Sequence, residues 1–145
     1  MRNGLQKLIR NFFLCGCLGW CWEILVTSLA EFRKKDFNQK LIGKTSLWMF
    51  PIYGMGALLP PVFHLLKRQK LWLRGFVYMA LIFLMEYASG SWLSKRRLCP
   101  WNYSHARWNI GGLIRLDYAP GWFLLGLLYE KILKPKEKKS PLDFS

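Results

Sequence analysis

Two glutamates stand inside segments that are otherwise apolar, and their carboxyl groups are the strongest candidates for chemistry in this sequence. Glu23 lies in the apolar segment 11–30, and Glu86 lies near the end of the apolar segment 71–93. A charged side chain in a membrane-spanning helix costs roughly 2.5–3.5 kcal/mol on insertion scales, so it normally faces a bundle interior or a wet cavity. The pair therefore predicts a binding or relay site for a cation, a proton or a polar headgroup. The alternative is that each glutamate pairs with an arginine of the loop after the third apolar segment and only anchors that loop.

The loop 99–112 carries a second group of reactive residue types. Ser104 and His105 are adjacent, but neighbours in sequence rarely form a nucleophile and its base without a third group that orients the base. The chain has no Gly-x-Ser-x-Gly sequence, no paired metal-binding histidines and no phosphate-binding loop. Catalysis through Glu86, Tyr103 or His105 stays open as an alternative. No catalytic residue is assigned, and neither a metal nor a cofactor is expected.

The composition indicates a membrane protein rather than a nucleic-acid-binding one. The 145 residues are a usual length for one domain, and 22 basic against 8 acidic residues give a net charge of +14. These basic residues avoid the long apolar segments, whereas a nucleic-acid-binding domain spreads them over a soluble face. The 17% of aromatic residues is typical of anchoring at membrane interfaces. The expected partner is therefore the lipid bilayer, including anionic lipid, and not nucleic acid.

Four apolar segments approach the length of about 20 residues that a helix needs to cross a bilayer. They are residues 11–30, 47–66, 71–93 and 120–134. The last is short, so we expect its helix to begin earlier and to draw Asp117 and Tyr118 to the membrane boundary. Alternatively, Asp117 caps this helix, with Pro120 in the first turn. The predicted fold is an all-α, polytopic membrane protein of about four helices, with a structured loop between the third and the fourth.

The predicted organisation is one membrane-embedded domain, 1–134, followed by a basic and flexible tail, 135–145. A signal peptide is an alternative for the N-terminal segment, because basic residues precede an apolar run with small residues near Ala30. Glu23 and the bulky Trp22 argue against cleavage there, so we expect an uncleaved first transmembrane helix. The basic residues divide almost evenly between the two membrane faces, and the positive-inside rule therefore does not decide the orientation.

The second apolar segment is interrupted by helix-disturbing residues. These are Pro51, Gly54, Gly56, Pro60 and Pro61. Proline lacks the backbone N–H and crowds the preceding turn, so the segment is predicted to be kinked or broken. We expect the break at Pro51-Ile52-Tyr53-Gly54-Met55-Gly56, where a discontinuous helix would expose backbone groups to a ligand, as in transporters. A kink that only fits the bundle is the alternative.

Counting residues along alternating spans places the polar features near one membrane face. At 1.5 Å per residue, Glu23 and Glu86 each lie roughly 10 Å inside that face. Tyr53 is expected at a similar depth, and the loop 99–112 is expected to cover all three. The predicted ligand-binding residues are Glu23, Tyr53, Glu86, Trp101, Tyr103, Asn109 and Asp117.

Five short motifs resemble those of one membrane protein family. They are Gly19-Trp20-x-x-Glu23, Pro51-Ile52-Tyr53-Gly54-x-Gly56-Ala57, Glu86-Tyr87, Trp101-Asn102-Tyr103-Ser104 and Asn109-x-x-Gly112. In this order and spacing, the chain resembles the CmpB-like ABC-transporter type IV family, and equally the small vertebrate proteins called transmembrane protein 229. The resemblance covers about residues 12–133 and implies an integral, multi-pass and all-helical membrane protein of permease-like type. The family usually has aspartate where this chain has Asn102, so an acid–base role at that position is not expected here.

The leading hypothesis is a protein that binds, or helps to move, a small polar solute or lipid headgroup through a polar pocket in one leaflet. One alternative is a structural or assembly subunit of a membrane complex, and another is a membrane enzyme that acts on lipid. The chain has no Walker motif, so an ATPase would be a separate subunit, and a second copy of the chain is the other expected protein partner. The expected location is the plasma or inner membrane in a bacterium, and the endomembrane or plasma membrane in a eukaryote.

Overall fold

The computed structural model describes residues 2–30 and 40–134, which are mostly helical. The α-helices are α1 (Arg2–Ala30), α2 (Met49–Gly54), α3 (Pro60–Leu66), α4 (Leu71–Lys95) and α5 (Ala119–Leu133). Two 3-10 helices, Met55–Leu58 and Leu116–Tyr118, follow α2 and precede α5. A short antiparallel hairpin of β1 (Asn109–Ile110) and β2 (Ile114–Arg115) lies between α4 and α5. The predicted all-α class holds apart from this hairpin, and the predicted tail 135–145 lies outside the described residues.

Within the described residues, α1 and α4 are long and apolar enough to cross a membrane. The α2–α3 pair makes a third candidate if its two bent halves count as one span. The fourth predicted span is shorter, because α5 has 15 residues and therefore extends only about 22 Å. The preceding 3-10 helix lengthens it toward Asp117, as expected. Asp117 is not the N-cap residue, however, because Tyr118 occupies that position and its side chain makes no capping hydrogen bond.

The bend in the second apolar segment lies later than predicted. The two halves meet at an angle of 44°, and the helical assignment is interrupted at Leu59. Pro51 lies in the first turn of α2, where a backbone N–H has no intrahelical partner and proline is tolerated. Pro60 begins α3, and its missing N–H prevents the hydrogen-bond ladder from continuing. Tyr53 consequently lies on a regular helix and not at the break.

Close helix contacts bring the side chains of the core together. Gly19 of α1 faces Tyr53 of α2, and Gly126 of α5 faces Tyr78 of α4. A Cβ atom at either glycine would overlap the opposing tyrosine, so these glycines permit close approach of the helices. The central buried cluster consists of Cys15, Met49, Tyr53, Phe63, Tyr78, Trp122, Leu125, Tyr129 and Leu133.

Candidate functional site

A cavity of about 240 Å³ lies between the α2–α3 segment, α4 and α5. Most of its wall is aliphatic, with contributions from Leu59, Val62 and Ile82. Its polar groups belong to four side chains, namely Tyr53, Glu86, Trp122 and Tyr129. Among the residues that the structure describes, Glu86 is the one acid in this wall, and no lysine or arginine lines it. The polar pocket expected from the sequence is therefore an apolar cavity with a few polar groups.

Three of these four polar side chains contain a buried atom that has no hydrogen-bond partner among the described residues. The atoms are the Tyr53 hydroxyl oxygen, Oε2 of Glu86 and the Trp122 indole nitrogen. The three residues are only 7%, 5% and 4% exposed. The Trp122 N–H lies near the Glu86 carboxyl group without forming a hydrogen bond to it. Native proteins pair nearly all buried polar atoms, so three unpaired ones on a single cavity wall require a specific explanation.

The fourth polar side chain has an ordinary structural contact. The Tyr129 hydroxyl donates a hydrogen bond to the carbonyl oxygen of Cys15 at 3.0 Å. This bond connects α5 to α1 and leaves the aromatic ring of Tyr129 in the cavity wall. Tyr129 therefore contributes shape and an aromatic surface, whereas Tyr53, Glu86 and Trp122 contribute free hydrogen-bonding capacity.

Glu23 lies close enough to act electrostatically on both Tyr53 and Glu86. It does not line the cavity, however, and its half-buried carboxylate accepts a hydrogen bond from the Thr45 hydroxyl at 2.5 Å. The structure thus brings the two predicted acids into one region but gives them different surroundings. Glu23 has a hydrogen-bond partner, whereas Glu86 lines the cavity and has a buried carboxyl oxygen without a partner among the described residues.

Arginine anchoring, which was the alternative for both glutamates, is absent from the described residues. Arg115 instead donates two hydrogen bonds of 2.8 Å to the carboxylate of Asp117, which raises the pKa of Arg115. Arg107 lies over the ring of Trp108, and Arg97 is exposed. The alternative predicted from the sequence is therefore wrong for the part of the chain that is described.

Two of the predicted loop residues hold the loop itself. The Trp101 indole donates a hydrogen bond to the carbonyl oxygen of Leu113 at 3.1 Å. The Asn109 side chain donates to the carbonyl of Ala106 at 2.6 Å and accepts from the backbone N–H of Gly112 at 3.0 Å. Gly112 has a φ of +69°, a left-handed conformation that glycine adopts without a steric penalty. These contacts give Trp101 and Asn109 a structural role in shaping the loop.

Tyr103 connects the loop to the cavity through a series of aromatic rings. Its ring lies 6.0 Å from that of Tyr118, Tyr118 lies 6.1 Å from Trp122, and Trp122 lies 6.3 Å from Tyr53. Burial raises the pKa of the Tyr103 phenol, and the negative charge of Glu86 acts in the same direction. The phenol therefore stays protonated and keeps its capacity to donate a hydrogen bond.

A second cavity of about 220 Å³ lies where the end of α1 meets the start of α5. Its wall includes Val26, Arg115, Asp117 and Tyr118. Trp122 is a lining residue of both cavities. Asp117 thus belongs to this second space, although the sequence grouped it with Glu86.

A buried polar cluster that was not predicted from the sequence lies at the other end of α4 and α5, and we call it the Glu130 cluster. Glu130 accepts a hydrogen bond from Tyr78 at 3.0 Å, pairs with Arg74 at 3.1 Å and contacts Lys134 at 3.5 Å. Its side chain is only 6% exposed. A signal was present in the sequence, because Arg74 lies near the start of the apolar segment 71–93 and a largely buried arginine requires an acidic partner.

The residues considered for catalysis do not assemble into a reactive pair. The Ser104 hydroxyl donates to the side chain of Asn102, His105 is exposed, and the Cys99 thiol donates to the carbonyl of Trp101 at 3.3 Å. Within residues 2–30 and 40–134, no hydrogen bond joins Ser104 to His105. The same residues contain no group of three or more histidine, cysteine, aspartate or glutamate side chains that could hold a metal ion.

Comparison with known proteins identifies a family that covers most of the chain. The family model described as "Putative ABC-transporter type IV" matches residues 10–142. No solved structure matches the chain.

Proposed function

The chain belongs to the "Putative ABC-transporter type IV" family, and from this premise we propose that it binds a small solute or lipid headgroup inside the membrane. The proposed site is the cavity of about 240 Å³ beside Glu86. One observation supports it above all, namely that three residues lining this single cavity, Tyr53, Glu86 and Trp122, each contain a buried polar atom without a partner among the described residues.

The energy of these unpaired atoms favours a ligand. Each buried donor or acceptor without a partner costs about 1–3 kcal/mol, and a carboxyl group costs more when it is charged. An empty site would therefore keep Glu86 neutral by protonation, or water would occupy the polar end. A ligand that pairs with these atoms recovers part of that free energy on binding. The free energy that the empty site loses by leaving these atoms unpaired thus contributes to the affinity for a ligand.

The proposed arrangement is a multi-pass bundle in which α1, the bent α2–α3 segment, α4 and α5 each pass through or into the membrane. The exposed apolar side chains along these helices would face lipid. Trp72, Leu84 and Leu124 are each more than half exposed, which would be unfavourable in water. A plasma or inner membrane location is proposed for a bacterial source, and an endomembrane or plasma membrane for a eukaryotic one.

The second cavity provides an approach to the first in this proposal. Because Trp122 lines both cavities, a rotation of its indole would connect them. The loop between α4 and α5 would then cover the route, and its Tyr103 ring contacts that of Tyr118. A separate ATP-hydrolysing subunit, or a second copy of the chain, would supply the energy or the symmetry that passage across the membrane requires.

The test is a thermal-stability screen of the full chain in lipid nanodiscs against small cationic, anionic, zwitterionic and neutral solutes. It compares the wild type with Glu86→Gln, which removes the acid, and with Val62→Phe, which fills the cavity. Leu65→Phe is the matched control, because Leu65 is on the same helix as Val62 but is 80% exposed. At least one class of solute is expected to stabilise the wild type and Leu65→Phe only. Equal stabilisation of all four proteins, or of none, would contradict the proposal.

A further inference from the structure

The electrostatic character of the Glu86 cavity identifies the class of ligand. No lysine or arginine lines the cavity in the described part of the chain, and Glu86 supplies an acid. Glu23 adds a second negative charge within electrostatic range of Glu86. An anion would enter this space against both acids without a compensating partner. A cation would instead remove the unfavourable state of a buried, unpaired carboxylate.

Two arginines close to the helix bundle, Arg115 and Arg74, are already paired with other acids and do not change this balance. Arg115 forms its two-fold contact with Asp117, and Arg74 pairs with Glu130 at the opposite end of α4. Twelve residues of helix separate Arg74 from Glu86, a distance of about 18 Å. Neither guanidinium group is therefore in a position to neutralise Glu86 directly.

Aromatic rings complete a surface of the kind that recognises cations. Tyr53, Trp122 and Tyr129 all line the cavity, and the ring centres of Tyr53 and Trp122 are 6.3 Å apart. The face of an aromatic ring attracts a positive charge, most strongly for tryptophan and where water is excluded. A cation–ring contact of this kind is present at the second cavity, where the Arg115 guanidinium lies 4.7 Å from the ring centre of Tyr118.

On the basis of the proposed function, we propose that the ligand is an organic cation, a protonated amine attached to a compact apolar group. The ammonium group donates hydrogen bonds to Oε2 of Glu86 and to the Tyr53 hydroxyl oxygen, the unpaired acceptors of the wall. The Trp122 N–H then donates to the Glu86 carboxylate, which already lies near it. The apolar part fills the aliphatic side of the cavity, where Leu59, Val62 and Ile82 exclude water.

The test uses three probes that share a benzyl group and differ in charge: benzylammonium, neutral benzyl alcohol and anionic phenylmethanesulfonate. Equilibrium binding of each radiolabelled probe is measured with the full chain in nanodiscs, and binding to empty nanodiscs is subtracted. We expect benzylammonium to bind the wild type and the Leu65→Phe control. Its affinity is expected to fall about tenfold or more in Glu86→Gln, because the new amide offers no counter-charge, and similarly in Val62→Phe. Retained benzylammonium binding in Glu86→Gln would overturn the inference.

The neutral and anionic probes separate this inference from the proposed function. Binding of benzyl alcohol that is as tight and as dependent on Glu86 as that of benzylammonium would overturn the cation assignment and leave a ligand site in place. Binding of phenylmethanesulfonate that is as tight and as dependent on Glu86 would likewise overturn the cation assignment and leave a ligand site in place. Absence of benzylammonium binding also overturns the cation assignment, whereas the proposed function is decided by the independent stability screen. Val62→Phe keeps the test valid if Glu86→Gln does not fold, since it blocks the cavity without removing a charge.

Discussion

The two ends of the α4–α5 pair each bury a glutamate, but only one of these glutamates is paired. At one end, Glu130 contacts Arg74, Tyr78 and Lys134. At the other end, Glu86 lines a cavity and has a carboxyl oxygen without a partner among the described residues. Both are almost completely buried, at 4% and 5% exposure. Burial is therefore equal, and only the partners differ.

This difference separates a structural acid from a candidate functional one. An ion pair with hydrogen bonds offsets its own desolvation and holds two helices in register. An unpaired carboxyl group offers no such offset, so it lowers stability unless something binds it. The four predictions below test this contrast, from the largest expected effect to the smallest.

A substitution in the Glu130 cluster should lower the stability of the protein more than a substitution at Glu86. Glu130→Gln leaves the guanidinium of Arg74 buried without its charged partner, and we expect the free energy of unfolding to fall by about 3–5 kcal/mol. Unfolding by denaturant in detergent micelles measures this change. The double variant Arg74→Met with Glu130→Leu should lose less than the sum of the two single variants. Additive losses would show that the pair does not interact.

The close helix contact beside Tyr53 should affect both stability and binding. Gly19→Ala forces a methyl group into the Tyr53 ring, and we expect a loss of about 1–3 kcal/mol together with weaker benzylammonium binding. Gly4→Ala in the same helix is the control, since nothing lies within 4 Å of a Cβ atom there. The two variants are compared by denaturant unfolding and by probe binding. An equal response of both would mean that the α1–α2 contact does not position Tyr53.

Glu86→Gln should not lower the free energy of unfolding, in contrast to Glu130→Gln. Removal of a carboxyl group that has no counter-ion is expected to leave the free energy of unfolding unchanged or to raise it by about 1 kcal/mol, while ligand binding is lost. The same unfolding and binding measurements detect both effects. A loss of stability as large as that of Glu130→Gln would assign Glu86 a structural role and remove the contrast.

The smallest expected effects come from removing the hydroxyl groups of Tyr129 and Tyr53. Tyr129→Phe removes the hydrogen bond to the Cys15 carbonyl and should cost about 1 kcal/mol. Tyr53→Phe removes a hydroxyl without a partner, so its effect on stability should be near zero, and only its binding of benzylammonium should weaken. Paired melting curves of the two variants, with and without benzylammonium, check the difference. A destabilised Tyr53→Phe would indicate that this hydroxyl has a structural partner.

The sequence was sufficient to predict the helical class, the family and the presence of unusual acids in apolar segments. These features depend on local composition, because a run of apolar residues fixes where a membrane-spanning helix forms and a carboxyl group within it is conspicuous. The position of the bend between α2 and α3 was harder to predict from the sequence. Several prolines and glycines compete in one segment, and the hydrogen-bond ladder tolerates Pro51 in a first turn but not Pro60 in the middle of the segment.

What only the tertiary structure decided was which acids have partners. Glu130 lies near the end of the last helix, and its contact with Arg74 exists because α4 and α5 pack side by side. Glu23 accepts a hydrogen bond from Thr45, and Asp117 forms an ion pair with Arg115. The residues that the sequence grouped into one site therefore belong to separate sites. Pairing is a property of three-dimensional distance and orientation, which helix periodicity and depth along a span do not specify. The sequence therefore determined that buried acids exist, and the packing of the helices determined that Glu86 lines a cavity and has a carboxyl oxygen without a partner among the described residues.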